Sequence, residues 1–176
     1  DHTVGGLVGC CSYSAVSNSY STGNVSGISE YAGGLVGYAY YSGIDNSYST
    51  GDVFGGSYVG GLAGDVYLNW TTRSITKCFA TGSVTGTIRV GGLLGNIYLR
   101  ASTRNTTLNV VNCYARGNVT ADSHAGGLVG YAYSDKDYHR IILRHSYSTG
   151  SVIGNSGAGG LVGTIYQYIT SEDSFW

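Results

Sequence analysis

Gly5-Gly6-Leu7-Val8-Gly9 is the stretch that decides the fold, because it returns five more times. The copies are Gly33-Gly34-Leu35-Val36-Gly37, Gly60-Gly61-Leu62-Ala63-Gly64, Gly91-Gly92-Leu93-Leu94-Gly95, Gly126-Gly127-Leu128-Val129-Gly130 and Gly159-Gly160-Leu161-Val162-Gly163. Their starts lie 28, 27, 31, 35 and 33 residues apart. A second motif falls between them. It reads Asn18-Ser19-Tyr20-Ser21-Thr22-Gly23-Asn24-Val25 and recurs at residues 46–53, 77–84, 112–119 and 145–152. A shortened copy is Asp173-Ser174-Phe175-Trp176. From each closing valine to the next Gly-Gly is 7 or 8 residues, whereas the segment on the other side is elastic, at 8, 8, 12, 16, 14 and 9 residues. A constant register with one variable segment is how a solenoid behaves: core strands stack and insertions bulge on one side.

The coils read as strands. Each glycine costs a helix about 1 kcal/mol relative to alanine, and the remainder is rich in Tyr, Val, Ile and Thr, which favour strands. The expected fold is all-β, a parallel β-solenoid of about six coils that occupies residues 1–176 as one repeat domain. The bias of parallel crossovers makes it a right-handed β-helix. The six glycine motifs are expected to be stacked strands with their leucines in one buried column.

Composition bounds the function. Glycine numbers 30 and tyrosine 17, with no proline or methionine. Charged residues are 11%, the net charge is −1, and 42% of the chain is hydrophobic. Such a chain buries a core, unlike a disordered one. It lacks the basic balance of a nucleic-acid binder and the long apolar run of a membrane helix. Asp1 stands where an initiator Met would, and no signal peptide is visible, so a processed or excised piece of a longer product is expected.

Equivalent residues of successive coils should stack about 4.8 Å apart. In the second motif one parity is small: Ser19, Ser47, Cys78, Cys113, Ser146 and Ser174, then Ser21, Ser49, Ala80, Ala115 and Ser148. These are expected to face a narrow interior. The other parity is an outward aromatic ladder of Tyr20, Tyr48, Phe79, Tyr114 and Tyr147, continued by Phe175. Tyr40, Tyr67, Tyr98, Tyr133 and Tyr166 form a second ladder. Both are expected to stabilise the stack, and a ring platform for sugars or a partner is the functional alternative. Column mates Cys78 and Cys113 are expected side by side, as a disulfide or as stacked thiols. Cys10 and Cys11 have no such mates and are candidates for a vicinal or an intermolecular bond.

Both halves of the repeat resemble the GLUG-motif repeats of microbial surface proteins. The resemblance covers nearly the whole chain. It implies an adhesin-like stalk, or an accessory region of a secreted peptidase of the IgA-cleaving type, and no activity of its own. No peptidase motif such as His-Glu-x-x-His is present.

No catalytic, cofactor or metal site is expected. The acids are scattered, and Asp135 and Asp137, close in sequence, read as a solvated turn. His139 and His145 lack a strong metal spacing. Arg73, Arg100, Arg104, Arg140, Arg144 and Lys136 could form a basic stripe, though solvated loops are the simpler reading. Asn24, Asn69, Asn105 and Asn118 head N-x-Ser/Thr sequons, the acceptors of N-glycosylation. The expected role is an extracellular, cell-surface structural or adhesive module. Its expected partners are other copies of itself in a homo-polymer, with surface carbohydrate as a further candidate, and neither nucleic acid nor a bilayer interior.

Overall fold

The computed structural model describes residues 3–28, 30–100 and 105–176. Among them every named element is a β-strand, and all strand pairs are parallel. The chain winds as a β-solenoid through four sheets.

One six-stranded sheet, here the groove sheet, stacks Val8–Ser12, Val36–Tyr40, Ala63–Leu68, Leu94–Leu99, Val129–Ser134 and Val162–Tyr166. A second stacks Ala15–Ser17, Gly43–Asp45, Thr72–Thr76, Thr107–Val111, Arg140–Arg144 and Ile169–Glu172. A five-stranded sheet carries Tyr20–Ser21, Tyr48–Ser49, Phe79–Ala80, Tyr114–Ala115 and Tyr147–Ser148. The fourth, of nine strands, joins the valine strands to those that lead into the glycine motif; the long strand Val119–Gly126 unites the two stacks. The sixth coil adds two strands and an isolated bridge from Tyr147 to Phe175, so the solenoid makes about five turns where about six coils were expected.

The glycine motif is a corner, which corrects its expected assignment as a strand. The first glycine ends one strand, the Gly-Leu pair bends, and the fourth residue opens the groove sheet. Successive corners stay in register: the Leu35 amide donates to the Leu62 carbonyl at 2.9 Å, and the Leu62 amide to that of Leu93 at 2.8 Å. Only glycine fits. A Cβ on Gly33 or Gly91 would overlap the carbonyl oxygen three residues ahead in its own bend, and one on Gly34 or Gly92 would overlap the carbonyl of the next coil's second glycine.

That second glycine also explains why the two motifs travel together. Gly6, Gly34, Gly61, Gly92 and Gly127 press against Ser21, Ser49, Ala80, Ala115 and Ser148 respectively, so a small residue is required on both sides. In the sixth coil Trp176 takes that place and lays its indole against Gly160.

Leu35, Leu62, Leu93 and Leu128 are fully buried, as expected of the leucine column. Leu7 is 49% exposed and Leu161 is half-buried, because each outer coil has a neighbour on one side only. The leucines join Ile44, Ile75, Val110 and the column Cys11, Ala39, Val66, Ile97 and Ala132 in the main core. A second core of Val25, Val53, Val84 and Val119 fills the other side of the coil.

The corner before the small column is left-handed. Asn18, Asn46, Lys77, Asn112, His145 and Asp173 have φ from 45 to 55°. Asparagine and aspartate tolerate this region best, which accounts for the Asn that opens the motif. The next residue caps it: Ser47 Oγ donates to the Asp45 carbonyl at 2.7 Å, Cys78 Sγ to that of Thr76 at 3.1 Å, Cys113 Sγ to that of Val111 at 3.3 Å and Ser146 Oγ to that of Arg144 at 2.9 Å. The two cysteines thus take a serine's place.

Candidate functional site

Cys78 and Cys113 are buried neighbours, as the Phe79–Tyr114 register requires, and both are free thiols. Contact with Cys78 and burial push the Cys113 thiol above its ordinary range. Cys10 and Cys11 are also free. They alternate across one strand, Cys10 exposed and Cys11 in the core. A vicinal bond would break that alternation, and burial keeps Cys11 from a neighbouring molecule, so Cys10 alone of the pair could bond between copies.

Both ladders form. Ring centroids run from Tyr20 through Tyr48, Phe79, Tyr114 and Tyr147 to Phe175 at 4.6–5.4 Å, with planes within 9° of parallel. The second runs from Tyr40 through Tyr67, Tyr98 and Tyr133 to Tyr166 at 4.6–5.6 Å. Stacked this way, inner rings cover each other's faces. They show edges and phenol ends to the surroundings, not the flat faces a sugar platform needs. Each stacked pair adds about 0.5–1.5 kcal/mol beyond its area burial. A shallow recess of about 290 Å³ lies where the first ladder meets Asn18, Asn46 and Lys77.

The more elaborate site lies beside the second ladder. Two residues before each of its rings, and before Ser12 in the first coil, the groove sheet carries an outward column of Cys10, Tyr38, Asp65, Asn96, Tyr131 and Thr164. Coils three and four therefore place a carboxyl and an amide where coils two and five place rings. The gap is a recess of about 310 Å³. The Tyr67–Tyr98 ladder walls one side, with Arg100 at its rim, and Tyr31 and Tyr58 of the nine-stranded sheet wall the other.

Arg89 closes one end. It lies within the strand Ile88–Gly91 at a left-handed φ of 57°, a local bend that recurs at His124 in Val119–Gly126 and at Gly157. Its guanidinium lies 5.0 Å from the Tyr58 ring and 4.2 Å from that of Tyr131, a cation between two aromatic faces. Tyr31 extends the stack, 5.1 Å from Tyr58 and 5.2 Å from Tyr38. On the floor Asn96 Nδ2 donates to Asp65 Oδ1 at 2.6 Å, and Arg89 Nη1 reaches Asn96 Oδ1 at 3.4 Å. Arg89 Nε is buried with no hydrogen-bond partner.

Burial pushes the Asp65 carboxyl up to about 7, against the lowering pull of the Asn96 amide and the Arg89 charge. Burial, and then the Asp65 charge, raise Tyr31 to about 12 and raise Tyr38 further. The recess thus offers an acid poised near neutrality, an amide, a guanidinium and phenols, a set suited to recognition through hydrogen bonds.

The sequence reading missed most of this set. Tyr31, Tyr38, Tyr58, Arg89 and Asn96 were outside both ladders, and Asp65 counted only as a scattered acid. The available signal was the column itself, where Asp65 and Asn96 interrupt tyrosines.

The remaining candidates disperse. Among the described residues the basic stripe does not form: Arg73 and Arg140 occupy different registers of one sheet, and Arg144 pairs with Glu172 at 2.8 Å; Arg104 lies outside the described residues. His139 is buried and accepts the Thr106 amide at 3.2 Å, whereas exposed His145 lies 3.4 Å from Asp173. Asn24 and Asn118 are exposed, but each holds the stack, accepting the amides of Asp52 at 2.9 Å and Ser151 at 3.1 Å. Asn105 is exposed and Asn69 is half-buried.

Parallel coils, aligned small columns and continuous ring ladders define a β-solenoid repeat module. Residues 1–26 and 28–53 match the family model of the GLUG motif, so the chain carries a GLUG repeat region. No curated protein and no solved structure matches the chain.

Proposed function

We propose that this solenoid is an extracellular structural and adhesive module, a stiff repeat of a cell-surface fibre, sheath or stalk. The observation that carries this reading is the pair of unbroken ring ladders, which turn two sides of the coil into ridges of tyrosine and phenylalanine. Ridges repeating with the coils suit contact with other copies or with a repetitive surface polymer. A net charge of −1 permits close association. The test is sedimentation over a rising concentration series, with and without reductant, together with binding of labelled protein to cell-wall material. Association or surface binding is expected. A strict monomer that binds no surface would overturn the reading. The recess over Asp65 favours a second reading, a non-catalytic carbohydrate- or substrate-binding arm of a secreted enzyme. A catalytic domain in the full-length gene would select it.

A further inference from the structure

We propose that the recess over Asp65 and Asn96 is a glycan-binding site that accepts one or two sugar units of a polysaccharide chain. The inference rests on the adhesive reading and names its ligand class and its residues.

Size comes first. The recess spans two coils, about 10 Å along the axis at about 4.8 Å per coil. Its 310 Å³ lies at the lower end of ligand pockets. A short stretch of sugar fits that length, and a folded peptide element does not.

The chemistry is the second argument. Sugar hydroxyls donate and accept together, often as adjacent pairs. Asp65, Asn96 and Arg89 are planar groups joined in a hydrogen-bonded chain that engages both polar atoms of Asn96, and the donors and acceptors left over in that chain are what a hydroxyl pair would meet. Arg89 Nε is a buried donor without a partner, and leaving such a donor unpaired is costly. The chain itself leaves this guanidinium incompletely satisfied. The walls exclude stacking, whether of an aromatic ligand or of a sugar face, so a ligand here is held by hydrogen bonds. The Tyr67–Tyr98 rings cover each other's faces, and those of Tyr58 and Tyr131 are engaged by Tyr31 and Arg89. What remains for a ligand is ring edges and phenol hydroxyls.

Two substitutions separate the site from the fold. Asp65→Asn keeps the shape and relieves a buried carboxyl, so folding should survive. Arg89→Gln removes the guanidinium from between the Tyr58 and Tyr131 rings. The probes are soluble oligosaccharides of glucose, N-acetylglucosamine and galacturonate, titrated by calorimetry into the whole chain. Saturable binding to at least one is expected, weakened about tenfold or more by each substitution while circular dichroism stays unchanged. A galacturonate preference would assign the ligand carboxylate to Arg89 and Arg100, and a neutral preference would assign hydroxyls to Asp65. Failure of every probe to bind the folded chain would overturn the site. So would binding that both variants retain. Cell-wall adhesion persisting in both variants would also remove the recess but leave the adhesive reading intact.

Discussion

At the scale of single residues, two side chains sit where their chemistry is strained. Lys77 holds a left-handed φ of 54° in a column otherwise mostly Asn, beneath an Asn46–Asn18 side-chain hydrogen bond of 2.6 Å. The region costs an ordinary residue roughly 1–2 kcal/mol and asparagine less. Lys77→Asn should therefore recover part of that cost and extend the Asn ladder. A raised melting temperature checks it, and a lowered one would refute this account of the corner. Asp65 is the other case. Its folded value of about 7 stands above the roughly 3.9 of a free carboxyl, so the folded state holds the extra proton. Its contribution is present in full below about pH 4, falls as pH rises toward 7, and is flat above. Denaturant midpoints of the parent minus those of Asp65→Asn should follow that curve. A pH-independent difference would show that the carboxyl is solvated.

At the scale of the element, the glycine corner sets the shape of each coil. Gly91→Ala would drive a methyl group into the Leu94 carbonyl and toward the Gly130 amide. Both are backbone atoms fixed by the stack, so the loss should exceed the roughly 1–3 kcal/mol of ordinary overpacking. Gly23 is the control, because a Cβ there meets nothing within 4 Å. Gly23→Ala should be neutral or gain up to about 1 kcal/mol by restricting the unfolded chain. Equal losses at the two sites, by chemical denaturation, would remove the corner from its role. The elastic segment is also understood at this scale. Its extra residues lengthen Thr72–Thr76, Thr107–Val111 and Arg140–Arg144 relative to Ala15–Ser17 and Gly43–Asp45, leaving the ladders untouched.

At the scale of the whole molecule, stability is a sum of coil-to-coil contacts. Leu93 and Leu7 occupy the same place in the repeat, but one is fully buried between neighbours and the other is 49% exposed. Leu93→Ala should cost about 2–5 kcal/mol, and Leu7→Ala less than about half as much. Hydrogen exchange on the two variants should show the Leu93 lesion spreading to coils on both sides and the Leu7 lesion staying local. Identical losses would mean that the stack does not couple its coils.

The repeat alone determined the solenoid, the inward serine and cysteine columns, the outward ladders and the Cys78–Cys113 contact. These follow from period: in a stacked coil the neighbour of a residue is its own copy one repeat away, so aligning the motif lists the contacts. Periodicity could not show that Gly-Gly-Leu is a bend, because a bend and a strand stack with the same repeat. Only the space denied to a Cβ separates them. Nor could it place Arg89 between Tyr58 and Tyr131, or bring Tyr31 and Tyr58 over Asp65 and Asn96. Those contacts join different columns across a corner, and their geometry depends on the left-handed φ of Arg89 and the angle between two sheets. The ladders were written in the repeat; the recess exists only where the coils depart from it.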